Sequence, residues 1–568
     1  MNFLKSHRIS LSILALLSIL ITACDSDKSS VNTEVKRPNI LLIVADDAGY
    51  SDFSCYGGEI PTPNIDALAK EGLQLTDFHV PPNCQPTRAA LLSGMDNHLA
   101  GLGTMYGIIT ENQRGKPGYE GYLNFNVVSV AEVLQQSGYN TYMTGKWHLG
   151  SKEETRPHSR GFDRTFSMLA GGASHWQDNT PLIPGKPGPY SVNGEVIEGL
   201  PDGFYSSKNY ADTIISYIDA NSAGDKPFFA YLAFTAPHNP LHAPIDFIKK
   251  YEGKYDNGWE ELAKTRLKRM KELNLIPDEQ EAFQYPDWLE KWDSLSDEQK
   301  AARSKDMEVY AAMIDYLDMS IGRIITHLKT TKQYENTMIV FIADNGASKT
   351  TIMDYASLGG EVASYLESFD NSLENKGLPH SATDIGPAWA WAANTPFRLT
   401  KGYPTEGGMR VACVMKMPGS LNVSAKRVAG FAYVTDLMPT FLDLAQAEHP
   451  STYKGHDVLP MQGISLLPEL LNSSSDLKDR DFGFEIYGMM TYRSGSWKII
   501  NMPVPYGTGK WQLYNLRNDL SEQSDLAEEN PEILNELIEK YNIYASENGV
   551  VIPDSQTSYT KPPKENSF

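Results

Sequence analysis

The sequence predicts an α/β fold in which helices flank a large, mostly parallel sheet and a smaller C-terminal α+β subdomain carries an antiparallel sheet. Three observations indicate this fold. Continuous apolar, β-branched runs recur along the chain, as in strands that are buried on both faces of a parallel sheet. Helical patterns separate these runs, which favours a doubly wound sheet with right-handed crossovers. Beyond Ala447 the pattern changes to short strands followed by one helix.

The part of the chain before Ala447 supplies the large sheet. The runs predicted as strands are residues 39–45, 140–144, 227–234 and 338–343. The patterns predicted as helices between them are residues 65–71, 130–137, 211–220 and 307–328. The charge-rich stretch 251–305 predicts surface helices without a catalytic role, because a run of charges is typical of a solvated face.

The part of the chain after Ala447 predicts the small subdomain. Its short strands are residues 482–487, 490–492, 497–501 and 511–516, and a terminal helix lies near residues 531–545. Short strands joined by tight turns are typical of an antiparallel sheet.

Composition excludes several classes of protein. The 568 residues are 41% hydrophobic and include 44 Gly and 34 Pro, which is an ordinary globular mixture and not a disordered, collagen-like or coiled-coil one. The net charge of −21 gives no overall attraction to nucleic acid, so an anionic substrate would need a local basic cluster. Four cysteines are too few for a disulfide scaffold of this length.

The N-terminal segment predicts export. Lys5 and Arg8 precede an apolar stretch at residues 9–21, which is shorter than the about 20 residues of a membrane-spanning helix. The sequence ending in Ala23-Cys24 resembles a bacterial lipoprotein cleavage box. We expect a signal peptide at 1–23, lipidation of Cys24, a tether at 24–37 and a membrane-anchored protein in the bacterial periplasm or at the cell surface. An ordinary secretory signal with an incidental cysteine is the alternative.

Polar residues follow the predicted strands where each one ends. Asp46 and Asp47 follow the first strand, Asp344 and Asn345 follow the last, and Lys146, His148 and His238 follow the two others. Ligands of open α/β sheets bind beyond the carboxyl ends of the strands. Three carboxylates and an amide oxygen suit Ca²⁺ or Mg²⁺, although a single acidic pair would more simply cap a helix or form a turn.

The motif Cys84-Gln85-Pro86-Thr87-Arg88 is the most specific feature. Pro86 suits the first turn of a helix, so Cys84 would lie at a helix N-terminus, where backbone N–H groups stabilise an anion. Arg88 is four residues on and therefore near the same face. The alternative, a buried structural cysteine beside a surface arginine, does not explain the combination.

These residues resemble the type I sulfatases, whose Cys-x-Pro-x-Arg cysteine is oxidised to formylglycine. Further motifs of that family occur in family order at residues 38–58, 62–66, 145–150, 236–238, 343–346, 401–408 and 513–516. The resemblance is greatest to the bacterial arylsulfatases. It implies a mixed, alkaline-phosphatase-like sheet, a catalytic domain at 38–447 and a C-terminal subdomain at 448–568.

The resemblance also implies roles for individual residues. The ligands of one Ca²⁺, with Mg²⁺ less expected, would be Asp46, Asp47, Asp344, Asn345 and the modified Cys84. One hydroxyl of the hydrated formylglycine, held by Arg88, would attack the sulfur of a sulfate ester while Asp344 accepts its proton. The positive groups facing the sulfuryl oxygens and leaving group would be Lys146, His238 and Lys401, with His238 as general acid. His148 would take the proton that releases sulfate.

Other residues remain outside the predicted site. His98, His175, His242 and His380 are left out, and Trp176, Trp389 and Trp391 fit core packing better than a substrate platform. The sequence does not say whether Cys55 and Cys413 pair. The expected partners are a sulfate-ester small molecule or sulfated glycan and a formylglycine-generating maturase, but no nucleic acid.

Two other functions remain open at this point. A phosphate or phosphonate ester hydrolase of the same superfamily would use similar cations. A lipoprotein that only binds sulfated glycan would have no use for the Cys84 motif. The leaving group stays open among aryl, alkyl and glycan sulfates.

Overall fold

The computed structural model describes residues 37–181, 183–185, 188–222, 224–472 and 476–561. The predicted signal peptide, Cys24 and most of the predicted tether lie outside the described residues. Within those residues, no helix is long and apolar enough to cross a bilayer.

Strands and helices alternate through most of the chain. The strands of the described part are β1 (Asn39–Ala45), β2 (Leu73–Leu75), β3 (Phe78–His79), β4 (Asn140–Lys146), β5 (Arg164–Met168), β6 (Tyr190–Val192), β7 (Glu195–Ile197), β8 (Phe228–Ala233), β9 (Thr337–Ala343), β10 (Cys413–Lys416), β11 (Lys426–Val428), β12 (Ala432–Tyr433), β13 (Thr452–Tyr453), β14 (His456–Asp457), β15 (Phe482–Ile486), β16 (Met489–Ser494), β17 (Trp497–Asn501) and β18 (Trp511–Asn515). The α-helices of the same part are α1 (Pro63–Glu71), α2 (Cys84–Ser93), α3 (Val130–Gln136), α4 (Ser206–Asp219), α5 (Ile245–Ile248), α6 (Gly258–Glu272), α7 (Asp297–Thr330), α8 (Gly360–Leu366), α9 (Gly386–Ala393), α10 (Glu406–Met409), α11 (Leu437–Ala445), α12 (Leu467–Leu470) and α13 (Pro531–Glu547).

The large sheet has the order β11-β2-β10-β9-β1-β8-β4-β5-β6-β7. The four strands predicted from the sequence form its centre, β9-β1-β8-β4, and run parallel. Strand β10 is antiparallel to β9, and β6 and β7 extend the other side in antiparallel fashion, so the sheet is mixed as expected. The outer strands were not predicted, because strands of three to five residues carry too short an apolar pattern.

The register of the central strands positions the strand ends. Ala45 of β1 lies opposite Ala343 of β9, and Gly145 of β4 lies opposite Ala233 of β8. Because parallel neighbours end at the same edge, the residues that follow them leave the sheet side by side. This register places the polar residues predicted at the strand ends at one edge of the sheet.

The C-terminal subdomain agrees with its prediction. Strands β15 to β18 form an antiparallel sheet in sequence order. Helix α13 covers one face of it, where Leu537 and Tyr541 pack with Tyr492, Ile499 and Leu513. The boundary at 447/448 stays a prediction.

The expectation of a solvated face for residues 251–305 is wrong in one respect. Trp259 and Arg266, both on α6, are buried, at 1% and 0% exposure. Arg266 pairs with Asp52 at 2.6 Å and with Glu59 at 2.7 Å, and Trp259 contacts the ring of Trp389 at a centroid distance of 5.4 Å. One side of this charged helix therefore belongs to the core, and Trp389 is a core residue.

Candidate active site

The residues predicted at the strand ends meet around the start of α2. We call them the active-site cluster: Asp46, Asp47, Cys84, Arg88, Lys146, His148, His238, Asp344, Asn345 and Lys401. All of them are buried except His148, which is partly exposed. Residues from six separate segments of the chain thus share one site.

Helix α2 supplies the cysteine and the arginine. It begins at Cys84, as predicted, and Arg88 on its next turn is fully buried. One nitrogen of Arg88, Nη2, lies 2.6 Å from Asp344 Oδ2, and Nη1 donates to the carbonyl oxygen of Lys146 at 3.0 Å. Burial opposes the charge of Arg88, but Tyr231 and the carboxylates raise its pKa above the ordinary value.

Each of the other two aspartates pairs with a lysine. Lys146 Nζ lies 2.7 Å from Asp46 Oδ2, and Lys401 Nζ lies 2.6 Å from Asp47 Oδ1. Burial opposes the charge of Lys401, yet Asp47 raises its pKa well above the ordinary value. Three carboxylates and three fixed cations therefore balance within the cluster.

The two predicted histidines face different partners. Nδ1 of His148 lies 3.5 Å from Cys84 Sγ, and Nε2 of His238 lies 3.5 Å from Asp47 Oδ2. Burial, reinforced by Lys146, lowers the pKa of His148 well below its usual range. Burial also lowers the pKa of His238 to about 3, despite the attraction of Asp47. Both rings are therefore neutral at physiological pH, and each has one ring nitrogen without a proton.

Backbone conformation at the site is unusual. Asp47 and His148 adopt the left-handed region, with φ of 68° and 57°. Such conformations cost about 1–3 kcal/mol in non-glycine residues and persist where the surrounding structure requires them. Gly171 and Gly172 allow the histidines to come close, since added Cβ atoms would lie 2.7 Å from His148 Cε1 and 3.1 Å from His238 Cε1. Sequence reasoning missed this glycine pair, which follows β5 and belongs to none of the recognised motifs.

The cluster offers oxygen ligands for a cation. Among the described residues, Asp46 Oδ1 and Asn345 Oδ1 are buried without a hydrogen-bond partner. Ligand atoms of Asp46, Cys84 and Asp344 lie within 4.8 Å of one another, as do those of Asp46, Asp47 and His238. Unpartnered carboxylate and amide oxygens are the donors that Ca²⁺ and Mg²⁺ prefer, so these residues fit a hard divalent cation.

Two residues near the cluster were also missed. Tyr231 on β8 accepts a hydrogen bond from Arg88 Nη1 at 3.3 Å. Asn83, directly before Cys84, is fully buried, and neither polar atom of its side chain has a hydrogen-bond partner among the described residues. Neither could be found from the sequence, because Tyr231 lies in a strand pattern and Asn83 precedes the motif.

The remaining histidines lie elsewhere or act as supports. His98 lies between Asp96 and Glu485, and His380 is exposed. His175 and His242 each contact a backbone carbonyl, those of His238 and Ser381. They hold the segment that carries His238 but do not enter the cluster.

The other tryptophans and cysteines have structural surroundings. Trp176 packs on Tyr205 and Trp391 on Tyr285, with ring centroids 4.8 and 4.9 Å apart. Cys55 and Cys413 are free thiols.

A site with balanced buried charges, oxygen ligands and a residue at a helix N-terminus suits the transfer of a tetrahedral anionic group. This places the chain among the hydrolases of anionic esters. The family model described as Sulfatase matches residues 38–447. The chain belongs to the sulfatase family and is an enzyme that hydrolyses sulfate esters.

Curated relatives agree with this assignment. An uncharacterized sulfatase of Schizosaccharomyces pombe is 42% identical over 550 residues, which cover 94% of this chain and 99% of that protein. An arylsulfatase of Klebsiella aerogenes is 38% identical over 434 residues, covering 76% of this chain and 91% of that enzyme.

Solved structures share the fold. The crystal structure of Ps i-CgsB in complex with k-i-k-neocarrahexaose is 25% identical, with a TM-score of 0.64 and coverage of 90% of this chain and 93% of that one. The phosphonate monoester hydrolase of Agrobacterium radiobacter is 18% identical with a TM-score of 0.55 over 90% of this chain and 96% of that one, which shows a shared fold alone.

Proposed function

We propose that this sulfatase uses formylglycine made from Cys84, assisted by one Ca²⁺ in the active-site cluster. The observation that carries the proposal is the position of Cys84. It begins α2 with its Sγ 3.5 Å from a neutral histidine, His148, inside a cluster lined by Arg88 and two lysines. An unmodified thiol cannot form a geminal diol, whereas hydrated formylglycine supplies an oxygen nucleophile for the sulfur of the ester.

The surrounding residues would move the protons. Arg88 would orient the attacking hydroxyl, and Asp344 would accept its proton. Burial and the neighbouring Asp46 raise the pKa of Asp344 to about 6 when no metal is bound. A bound cation would lower this pKa, so Asp344 would be present as the carboxylate that accepts the proton. His148 would then take the proton of the second hydroxyl at Nδ1, the ring nitrogen that faces residue 84, and sulfate would be released.

The leaving group would receive its proton from His238. Nδ1 of His238 lies 2.5 Å from the Asn239 carbonyl oxygen, so the neutral ring carries its proton on Nδ1 and donates it to that oxygen. Nε2 is then unprotonated. Donation from Nε2 requires a second proton on the ring. An anionic ester bound beside His238 would raise its pKa and favour this charged form.

The balance of charge explains why a metal is needed. Three carboxylates and three cations cancel within the cluster, so the residues by themselves attract an anion weakly. A divalent cation would be held by Asp46, Asp47, Asp344, Asn345 and the modified residue 84. Such an ion supplies Lewis-acid polarisation, worth several kcal/mol of transition-state stabilisation. Lys146 and Lys401 would neutralise the sulfuryl oxygens, and their burial would strengthen this interaction.

Mass spectrometry of the peptide spanning residues 83–88 tests the modification. We expect an aldehyde at residue 84, trapped by a hydrazine, when the protein is made with a formylglycine-generating maturase, and a thiol when the maturase is omitted. A thiol in both preparations, in a host that matures a known sulfatase, would contradict the proposal.

Calorimetric titration after chelation tests the metal. We expect Ca²⁺ to bind more tightly than Mg²⁺, and Asp344→Asn to weaken Ca²⁺ binding at least tenfold. Glu406→Gln is the matched control, because Glu406 belongs to another buried group of possible ligands, with Asp77 and His79. Equal Ca²⁺ affinity in Asp344→Asn and the parent would show that the site is misassigned.

The ester preference is tested by comparing nitrophenyl sulfate with nitrophenyl phosphate and a phosphonate monoester. We expect a higher kcat/KM for the sulfate. A higher value for either phosphorus ester would favour the alternative hydrolase.

Location is a separate proposal. We propose that the chain is exported and anchored to a bacterial membrane through a lipid on Cys24, supported by the apolar stretch 9–21 and the residues before Cys24. Labelling with palmitate should mark the parent and not Cys24→Ala, and only the parent should sediment with membranes. Unlabelled parent protein, or Cys24→Ala that stays in the membrane fraction, would overturn it.

A further inference from the structure

A pair of tyrosines from the C-terminal part of the chain lies beside the active-site cluster. The rings of Tyr487 and Tyr559 stack with centroids 4.9 Å apart and an angle of 5° between their planes. Tyr487 occupies the turn between β15 and β16, and Tyr559 follows α13. Neither belongs to a motif that the sequence analysis singled out.

The position of Tyr559 is fixed by the segment that carries Lys401. A Cβ added at Gly402 would lie 2.2 Å from Tyr559 Cδ1, and Gly402 has a φ of 92° that favours glycine. The ring of Tyr559 therefore rests on the backbone directly after Lys401. Lys349 lies on the same side, with its Nζ 5.8 Å from the centroid of Tyr559 and 4.8 Å from that of Tyr506.

Tyr487 has a hydroxyl without a partner. Its side chain is 3% exposed, and its Oη has no hydrogen-bond partner among the described residues. Leaving a buried hydroxyl unpaired costs about 1–3 kcal/mol. The residue also has a φ of 59° in a two-residue turn with Gly488, where Asn is the usual choice. A bulky ring with an unpaired hydroxyl at such a position indicates a role beyond packing.

Electrostatic effects connect both rings to the cluster. Burial, Tyr559 and Cys84 raise the pKa of Tyr487 well above its ordinary value, while Lys401 acts in the opposite direction. Burial likewise raises the pKa of Tyr559, and Lys401 opposes it. These effects agree with the geometry, in which Tyr559 packs on Gly402, directly after Lys401, and Tyr487 stacks on Tyr559.

We propose that Tyr487 and Tyr559 form the leaving-group subsite of this sulfatase and select esters whose leaving group contains a six-membered ring. The ring of the substrate packs against the tyrosine pair, and the Tyr487 hydroxyl donates a hydrogen bond to an oxygen of the leaving group. Tyrosine faces accept an aryl ring or the apolar face of a pyranose. The inference rests on the proposed function, because it assumes that the ester is held with its sulfur at residue 84.

The test compares three sulfate esters in the matured enzyme: nitrophenyl sulfate, a monosaccharide sulfate and ethyl sulfate, which has no ring. Tyr559→Leu should lower kcat/KM for at least one ring ester tenfold or more relative to ethyl sulfate, mainly through KM. Tyr559→Phe keeps the ring and should restore the preference. The ring ester that responds more strongly distinguishes an aryl from a sugar leaving group.

Tyr487→Phe tests the hydroxyl. We expect kcat/KM for the ring ester to fall by about 5- to 150-fold, as for loss of a hydrogen bond to substrate. Tyr541→Phe is the matched control. Tyr541 lies on α13 of the same subdomain, is also 3% exposed, and its hydroxyl has no hydrogen-bond partner in the described part of the chain. Tyr316→Leu on α7 is the control for loss of a ring contact.

The outcomes are separable. A parent that carries the aldehyde and turns over none of the esters would contradict the proposed function and this inference with it. A parent that is active, but whose Tyr559→Leu and Tyr487→Phe variants change no more than the controls, or equally for all three esters, would overturn the subsite alone. Thermal unfolding of each variant shows whether it is folded.

Discussion

Two buried groups in this protein have the same charges and different surroundings. The active-site cluster sets Asp46, Asp47 and Asp344 against Arg88, Lys146 and Lys401. A second group lies where the large domain meets the C-terminal sheet, and we call it the junction network: Asp77, His79, Glu406, Arg410, Arg493, Lys498 and Glu522. It too contains three carboxylates and three fixed cations.

The charged groups of the junction network pair with one another, although Glu522 Oε1 has no hydrogen bond of good geometry among the described residues. Lys498 Nζ lies 2.8 Å from Glu406 Oε1 and 2.7 Å from Glu522 Oε1, and Arg493 Nη2 lies 2.8 Å from Asp77 Oδ2. These pairs connect α10 and the start of β3 to strand β17 and its neighbours. Its charges hold two parts of the fold together.

The active-site cluster leaves groups unsatisfied. Among the described residues, Asp46 Oδ1 and Asn345 Oδ1 lack hydrogen-bond partners, and Asp46 Oδ1 is 3.7 Å from Arg88 Nη2. Asp47 and His148 are in strained backbone conformations, and His148 faces Cys84. Buried charge alone therefore does not distinguish a catalytic site from a structural one. The two regions differ because the oxygens without a hydrogen bond in the active-site cluster lie beside Cys84 of the family motif, and the junction network contains no such residue.

The largest expected effect is the loss of activity on substitution of Cys84, which belongs to the active-site cluster and not to the junction network. Cys84→Ala should lower kcat on nitrophenyl sulfate by about four to six orders of magnitude, as for loss of a nucleophile. The variant should stay folded, because the junction network is intact. Cys413→Ala is the matched control, a buried free thiol in β10, and should retain activity. Turnover by Cys84→Ala at the parent's rate would refute covalent catalysis.

In the junction network, Lys498→Met should act on stability. It leaves Glu522 without its ion-pair partner and removes the shortest ion pair of Glu406, which keeps His79 at 3.0 Å and Arg410 at 3.5 Å. Removing one partner of a buried pair typically costs about 3–5 kcal/mol. Denaturant unfolding measures this loss, and kcat of the folded variant should fall less than tenfold. Unchanged stability would show that the network is not structural.

Lys146→Met makes the corresponding change in the active-site cluster. Removal of one preorganised cation should lower kcat about 10²- to 10³-fold, or about 2.7–4 kcal/mol. With the proposed Ca²⁺ bound, the loss of stability should be smaller than in Lys498→Met, because the ion would remain a partner for Asp46. If the loss in free energy of unfolding exceeded the rise in activation free energy, Lys146 would act as a structural cation, like Lys498, and the two groups would not differ in role.

A histidine outside the junction network, His98, also joins the large domain to the C-terminal sheet and should make the stability of the protein depend on pH. His98 lies 2.8 Å from Asp96 Oδ1 and 3.1 Å from Glu485 Oε2 of β15. Burial opposes its charge, but the two carboxylates raise its pKa from 6.5 to about 9. Because the pKa of His98 is higher in the folded than in the unfolded protein, its protonation stabilises the folded state. This contribution is fully present below pH 6.5 and is lost as the pH rises through about 9.

The contribution of His98 to the free energy of unfolding follows from its pKa shift, at about 1.4 kcal/mol per pKa unit, and is up to about 3 kcal/mol. Free energies of unfolding measured from pH 6 to 10 should fall in the parent and change less in His98→Gln. Parallel profiles for the two proteins would contradict the assignment.

How much the sequence reveals differs between the elements. The central strands were predicted within two residues, because strands buried on both faces must be continuously apolar. The helix at Cys84 was predicted from Pro86 and its spacing to Arg88. The outer strands, and the buried face of α6 with Trp259 and Arg266, were not, because their surroundings come from segments distant in sequence.

The sequence by itself determined the fold class, the family motifs and the chemical types that line the site, since these follow from local pattern and residue identity. The tertiary structure decided which charges face one another. The register of β1 on β9 brings Asp46 beside Asp344, and Lys401 reaches Asp47 across 354 positions of the chain. It also placed Tyr487 and Tyr559 beside the cluster. Packing sets such contacts, because no periodicity along one segment specifies what another segment will present to it.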